Sequence, residues 1–418
     1  MENSLDISVL SRRAADGEAE AQYALAAHLS RAGKREEAER LLQAAARSGY
    51  PDALYTLATR QLSSSEGAAA AAIDLERAAA GGSAAAVRLL AVLRTMGVGV
   101  TRDAASALSE ILRLAKSGDA AAQREVAALL ALSNPDDPCI APLIQSSSAR
   151  DVVAAAFCAA RAGHKAQKTS TVAESISLLE RASYPRAAEL KARLGNDADE
   201  PFSSAIDWLH IESIVTLSPP FRVKEERLCD SPDAIVYRSA IAPEICEYLI
   251  AHAASRLGPS LVYDPVNGGM MRDPLRTSAT ASLAPIDLDL ALITLNRLIA
   301  TAAREPEENG EFLSVLHYAP GQQYRPHFDC IPAGPDLETS GQRVKTAILF
   351  LNEDYQGGET HFLGPDLKFR GRCGDLLVFS NVDAQGAPDR ASRHAGLPVA
   401  AGRKWIVTKW FRSKKFAF

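Results

Sequence analysis

The chain has 418 residues, 47% of them hydrophobic, and a formal net charge of -5; that is too long for one ordinary core, so two or three domains are expected. The mildly acidic balance leaves no basic footprint for nucleic acid as a partner, and no apolar run is long enough to cross a membrane. Six scattered cysteines without a C-x-x-C pair, and an N-terminus without an apolar signal segment, lead us to expect a soluble cytoplasmic protein with free thiols.

From the N-terminus, four segments align with one another: 14–26, 46–58, 79–91 and 115–127. Gly17, Gly49, Gly82 and Gly118 occupy one column, Ala21, Ala53, Ala86 and Ala122 a second, and Ala26, Ala58, Ala91 and Ala127 a third. A glycine there ends one helix in the left-handed region, and the alanines let the next helix pack closely. Successive glycines lie 32, 33 and 36 residues apart, the period of a helix-turn-helix unit stacked into a solenoid. A degenerate further unit is read in 183–195. The array resembles tetratricopeptide-type repeats, and more closely their shorter A-x-x-G relatives. Such a solenoid serves as a spacer or presents a concave surface to a peptide or protein partner. His28 and His164 stand alone and are read as ordinary packing or surface residues.

At 195–204 the sequence turns acidic and turn-forming. Beyond it, 241–257 carries one helix signal, with Pro243 in the first turn and apolar residues at Ile245, Leu249, Ile250 and Ala253. The remainder reads as short strands at 312–319, 344–352, 359–364, 367–370, 375–381 and 404–412, punctuated by Gly, Pro, Asn and Asp, which fits a barrel or a double-sheet jelly roll. The fold class is therefore α+β multidomain, a helical repeat solenoid followed by a jelly roll.

Within this second half, His327 and Asp329 are two positions apart, so a strand would place imidazole and carboxylate on one face, with Phe328 turned into packing. A third ligand from a distant strand would complete a two-histidine-one-carboxylate metal face with open positions, and His394 is the best candidate. Lys404 follows in an apolar strand, where an amine is costly unless it meets an anion. A dicarboxylic cosubstrate chelating the metal at one end and pairing with Lys404 at the other would satisfy both, with hydroxyl donors from Tyr318 and Thr360. By strand alternation His317 and His361 face away from this site, and Cys330 is read as a small buried filler.

The ordered residues Tyr318, Gly321-Gln322, Tyr324, His327-x-Asp329, Arg343-x-x-Thr346, Gly357-Gly358-Glu359-Thr360, Gly374-Asp375, His394, Gly402-x-Lys404-Trp405 and Trp410 resemble the catalytic domain of prolyl 4-hydroxylases. Arg276-Thr277-Ser278 looks like that family's strand entering the same site. The resemblance implies a double-stranded β-helix and Fe(II) held by His327, Asp329 and His394. It also implies 2-oxoglutarate on Lys404, Tyr318 and Thr360, with Arg343 and Trp410 on the substrate side. O2 would be the second cosubstrate and ascorbate an accompanying reductant. The expected domains are a repeat solenoid at 1–195, a linker and lead-in at 196–233 and the dioxygenase at 234–418.

The expected reaction hydroxylates a prolyl residue of a peptide or protein recruited by the repeats, and releases succinate and CO2. Alternatives are the same chemistry on another side chain, a free amino acid or a small molecule, or a silent scaffold; the intact site residues speak against silence. Asp329 fills the place a halide would need, which favours hydroxylation over halogenation. Two Gly- and Pro-rich loops, 258–274 and 330–341, either close over substrate or simply connect strands.

Overall fold

The computed structural model describes residues 7–62, 65–164, 169–194, 205–264, 269–272 and 275–416. Two compact units result, one built on the chain up to Ser117 and the other on the chain from Gly118. The 195–204 stretch and parts of the 258–274 loop lie outside the described residues.

In the first unit, helices Ala19–Arg31, Arg35–Arg47, Pro51–Gln61, Ala68–Ala80, Ala84–Met96 and Ala104–Lys116 follow one another through tight turns. Gly17, Gly49, Gly82 and Gly118 all take φ between +80° and +94°, a region open to glycine at no steric cost. Ala21, Ala53, Ala86 and Ala122 are 0–1% exposed, because a methyl group is all that the close helix-helix approach admits.

The second unit begins with further helices, among them Ala120–Ser133, Val152–His164 and Ser170–Arg181. These are not a separate array set beside a self-contained β domain. Val152–His164 packs on Pro243–Ala254, with the Phe157 and Tyr248 rings edge-on at 5.8 Å. Glu244 and Glu247 on the latter helix are 2% exposed, and their cationic partners come from the helical stretch: Arg161 to Glu244 at 2.8 Å and Arg186 to Glu247 at 3.0 Å. Tyr184 also donates to Glu247 at 2.6 Å. Buried carboxylates need such partners. Compactness thus divides the chain at 117/118, whereas sequence texture changes near 195; the partners of Glu244 and Glu247 are 83 and 61 residues away, which local texture does not register.

The β portion holds an eight-stranded antiparallel sheet in the order 225–230, 233–237, 376–380, 343–350, 404–412, 313–318, 279–283, 258–259. A four-stranded sheet, in the order 367–369, 360–362, 394–396, 324–327, faces it. Alternate residues of both sheets, among them Leu316, Ile348, Phe350, Phe362, Phe379 and Ile406, fill one core, as in a jelly roll. A helix at Leu290–Ala303 joins the expected one at Pro243–Ala254. Its sequence, LALITLNRLIATAA, is buried on nearly every side, which removes the polar stripe that would have marked it as helical. Within the 330–341 loop, Pro335–Ser340 forms a short helix.

Candidate active site

The two sheets converge on a pocket lined by His327, Asp329, His394, Tyr318, Thr360 and Lys404. His327 ends the Tyr324–His327 strand and lies directly opposite His394, the first residue of His394–Gly396. Asp329 lies just past the strand end rather than within it. Phe328 is 43% exposed, so its expected turn into packing is corrected: once the pairing stops at His327, period-two alternation no longer sets its direction.

The ligand atoms of His327, Asp329 and His394 all lie within 4.8 Å of one another. His327 Nε2 is 3.6 Å from Asp329 Oδ1, and His394 Nε2 is 3.7 Å from Oδ2. Each imidazole is oriented from behind, Nδ1 against the Arg325 carbonyl at 2.7 Å in His327 and against the Ser392 carbonyl at 2.9 Å in His394. With Nδ1 carrying the proton, Nε2 of both rings presents its lone pair to the common centre. Burial, then the neighbouring His327, push His394 down to about 4, so its ring is neutral. Burial alone would raise the Asp329 carboxyl, but the imidazoles of His394 and His327 in their protonated forms, with Arg343, hold it well below the usual carboxylate range. Two imidazoles and one carboxylate are the donor set of a facial Fe(II) site, and the residues present fit that metal.

Support for this centre includes residues that sequence reasoning left without a role. Thr346 donates to Asp329 Oδ2 at 2.6 Å and accepts from Asn381 Nδ2 at 2.9 Å. Tyr324 stacks on His327 with ring centroids 3.4 Å apart, and Arg276 covers Tyr324 at 5.1 Å. Strand alternation was the available signal: Lys404, Ile406, Thr408 and Trp410 are every second residue of one strand, and all line the pocket.

Lys404 is 2% exposed. Its ammonium donates to the Gly358 carbonyl at 2.6 Å and lies 5.4 Å from the Tyr318 ring centroid. Among the described residues no carboxylate is within ion-pairing distance, and burial pushes its pKa down to about 8. A buried cation with no carboxylate in contact, and only Glu359 acting on it from further off, fits the far carboxylate of a dicarboxylic acid. Tyr318 pairs with Lys404 across the sheet, and burial raises its phenol, keeping it a neutral donor. Thr360, 3% exposed, lines the same end.

Trp410 lines the pocket, with an indole nitrogen that has no hydrogen-bond partner among the described residues. Arg343 is placed differently: it forks onto Glu311 at 2.6 and 2.8 Å and covers Trp410 at 4.0 Å. Its guanidinium therefore braces Trp410, and Arg276 is the arginine that lines the pocket. His317 lies against Trp405 on the opposite face, pushed down to about 4 by burial. His361 contacts Asp366 at 2.7 Å.

A second group of ligand-type atoms, from Asp137, Cys139 and His210, also falls within 4.8 Å. Hydrogen bonds account for it: Asp137 accepts from the Cys139 amide at 2.9 Å and contacts His210 Nε2 at 3.0 Å, and burial pushes the Cys139 thiol up, keeping it protonated.

A family profile described as the 2OG-Fe(II) oxygenase superfamily matches residues 313–412. The chain is 36% identical over 206 residues to Prolyl 4-hydroxylase 1 of Arabidopsis thaliana, covering 46% of this chain and 73% of the relative. It is 34% identical to Probable prolyl 4-hydroxylase 6 of the same plant, covering 44% and 71%. Among solved structures, the viral collagen prolyl hydroxylase of Paramecium Bursaria Chlorella virus-1 in its 2OG complex aligns with 45% of this chain and 99% of its own, at 23% identity and a TM-score of 0.35.

Proposed function

The chain belongs to the prolyl 4-hydroxylase family of 2OG-Fe(II) oxygenases, and from that premise we propose that it hydroxylates a prolyl residue within a peptide or protein. It is a 2-oxoglutarate-dependent dioxygenase using Fe(II) and O2. The observation that carries the reading is the pairing of the His327, Asp329 and His394 cluster with the buried Lys404 ammonium, which has no ion-pair contact among the described residues, in one pocket. We assign His327, Asp329 and His394 to the metal, and Lys404, Tyr318 and Thr360 to the far carboxylate of 2-oxoglutarate. Arg276 and Trp410 face the substrate, with Arg343 bracing Trp410.

When bound, the iron supplies oxygen activation coupled to decarboxylation of 2-oxoglutarate to succinate and CO2. The chain's own residues supply placement. The Arg325 and Ser392 carbonyls hold the two imidazoles in one tautomer. Thr346 keeps one Asp329 oxygen occupied and so orients the other. Lys404 neutralises the cosubstrate's distal charge where water cannot. Phe362 and Phe379 pack around His394 and keep that side dry.

Recruitment of the protein target by the helical repeats is part of the proposal. It is supported by a groove within the first unit lined by Tyr23, Ser30, Arg31, Arg35, Thr56 and Arg60. Six free thiols support a reducing, cytoplasmic setting, and ascorbate is the expected reductant.

The test is anaerobic titration with Fe(II) and 2-oxoglutarate, then succinate release in air and mass spectrometry of cell extract for gain of one oxygen on prolyl residues. The His327→Ala protein should show none of these. Oxygen gain confined to non-prolyl side chains would overturn the substrate assignment. Charge reversal at Arg31 and Arg35 should depress turnover of the protein target and spare a short prolyl peptide; equal turnover of both would remove recruitment.

A further inference from the structure

A run of hydrogen bonds starts in the helical part of the second unit and ends on both sides of Lys404. Asn352, 1% exposed, accepts from the Trp405 amide at 2.8 Å and donates to the Arg403 carbonyl at 2.7 Å. One side chain thus holds the backbone immediately before and after Lys404. The second hydrogen of the same amide goes to Asp354 at 2.5 Å, so both donors of Asn352 are committed.

Asp354 is held in turn by two arginines. Arg186 reaches its two oxygens at 3.3 and 3.4 Å, and Arg193 reaches it at 3.1 Å. These arginines cap the two ends of the helix Ala187–Ala192. Arg186 has no freedom to wander, since its Nε is within hydrogen-bond distance of both Glu247 oxygens and its side chain is 2% exposed. Burial would raise the Asp354 carboxyl, but Arg186, Asn352 and Arg193 outweigh it and keep the group ionised.

We propose that Arg186 and Arg193 are positioning residues for 2-oxoglutarate: acting through Asp354 and Asn352, they fix the stretch of strand that aims the Lys404 ammonium. The helix Ala187–Ala192 is thereby part of the cosubstrate site, although it contributes no group to the pocket. The inference rests on the reading that Lys404 binds the distal carboxylate. Its physical basis is geometric. Lys404 approaches that carboxylate along a path bounded by Gly358, where even an added Cβ would lie 3.2 Å from the lysine Cδ, so a small slip of the strand cannot be absorbed by the side chain.

The experiment uses the full chain with iron and measures the 2-oxoglutarate dependence of succinate formation together with 2-oxoglutarate binding by anaerobic calorimetry. Asp354→Ala should raise KM and Kd for 2-oxoglutarate about tenfold, with kcat at saturating cosubstrate and iron affinity within about twofold. Asp354→Asn, which keeps an oxygen for the Asn352 amide but loses the charge that Arg186 and Arg193 hold, should recover only part of the loss, and Arg193→Ala should move KM in the same direction by less. A purely structural role would lower thermal stability without this split between KM and kcat. Should Asp354→Ala fold poorly, Arg193→Ala decides, because that side chain is 39% exposed and its removal strands no buried charge; an unchanged KM there overturns the proposal. Lys404→Ala separates the premise from the inference. If it leaves 2-oxoglutarate affinity unchanged, the assignment of Lys404 fails. If it weakens binding while Asp354→Ala does not, the relay alone fails.

Discussion

Binding of 2-oxoglutarate should become a proton-uptake reaction at alkaline pH. In the free protein burial pushes Lys404 down to about 8. The amine is therefore about nine-tenths charged at pH 7 and about one-tenth charged at pH 9. A carboxylate brought against it favours the ammonium and raises its pKa. The sign follows: at pH 7 the cation is largely present and binding takes up roughly 0.1 proton, whereas at pH 9 it must be made and uptake approaches roughly 0.9. Apparent affinity should accordingly fall about tenfold between pH 7 and pH 9. Neighbouring groups do not blur the signal, because Tyr318 is pushed up by burial and His394 down to about 4. Calorimetry of the iron-loaded protein under anaerobic conditions, in buffers of different ionisation enthalpy, reads the uptake directly. Lys404→Arg, charged throughout, should flatten the profile. Flat affinity and no uptake at pH 9 in the native protein would refute the argument that burial, with no carboxylate in contact, depresses this amine.

Thr346→Val keeps the side-chain shape but removes the hydroxyl that holds Asp329 Oδ2; iron affinity by chelator competition should weaken about 10- to 100-fold, and Thr346→Ser should restore it. Arg186→Met leaves Glu247 buried with Tyr184 alone, which should cost about 3–5 kcal/mol and lower the melting temperature on the order of 10 °C. Replacing Glu247 by Met as well should return most of that loss, since the unpaired charge is then gone. Trp410→Phe removes an indole N–H that has no partner among the described residues; KM for a prolyl peptide should rise about fivefold with KM for 2-oxoglutarate unchanged.

Much of the site is readable from local sequence. His327 and Asp329 are two residues apart, so their proximity needs only a nearly extended backbone. Lys404 declares itself as an amine in an apolar strand. The repeat glycines mark their turns because positive φ excludes most other residues, and all four adopt it. What local pattern does not carry is the identity of partners far along the chain. Thr346 is an ordinary strand threonine until the sheets bring it to Asp329, 17 residues away. Arg343 resembles a substrate-side residue, yet Glu311 claims its guanidinium and leaves the pocket to Arg276. The helix Leu290–Ala303 escaped detection because burial on nearly all sides leaves no amphipathic period to see.

Local sequence carries the two kinds of architecture, the candidate cluster of His327, Asp329 and His394, and the buried lysine, because each depends on backbone periodicity or on a residue's own cost of burial. Tertiary structure alone decided where one unit ends and the next begins. Buried carboxylates on Pro243–Ala254 require cations, and folding supplies them from helices more than 60 residues upstream. Charge compensation in a low-dielectric interior is a property of packed neighbours, and no stretch of chain encodes it alone.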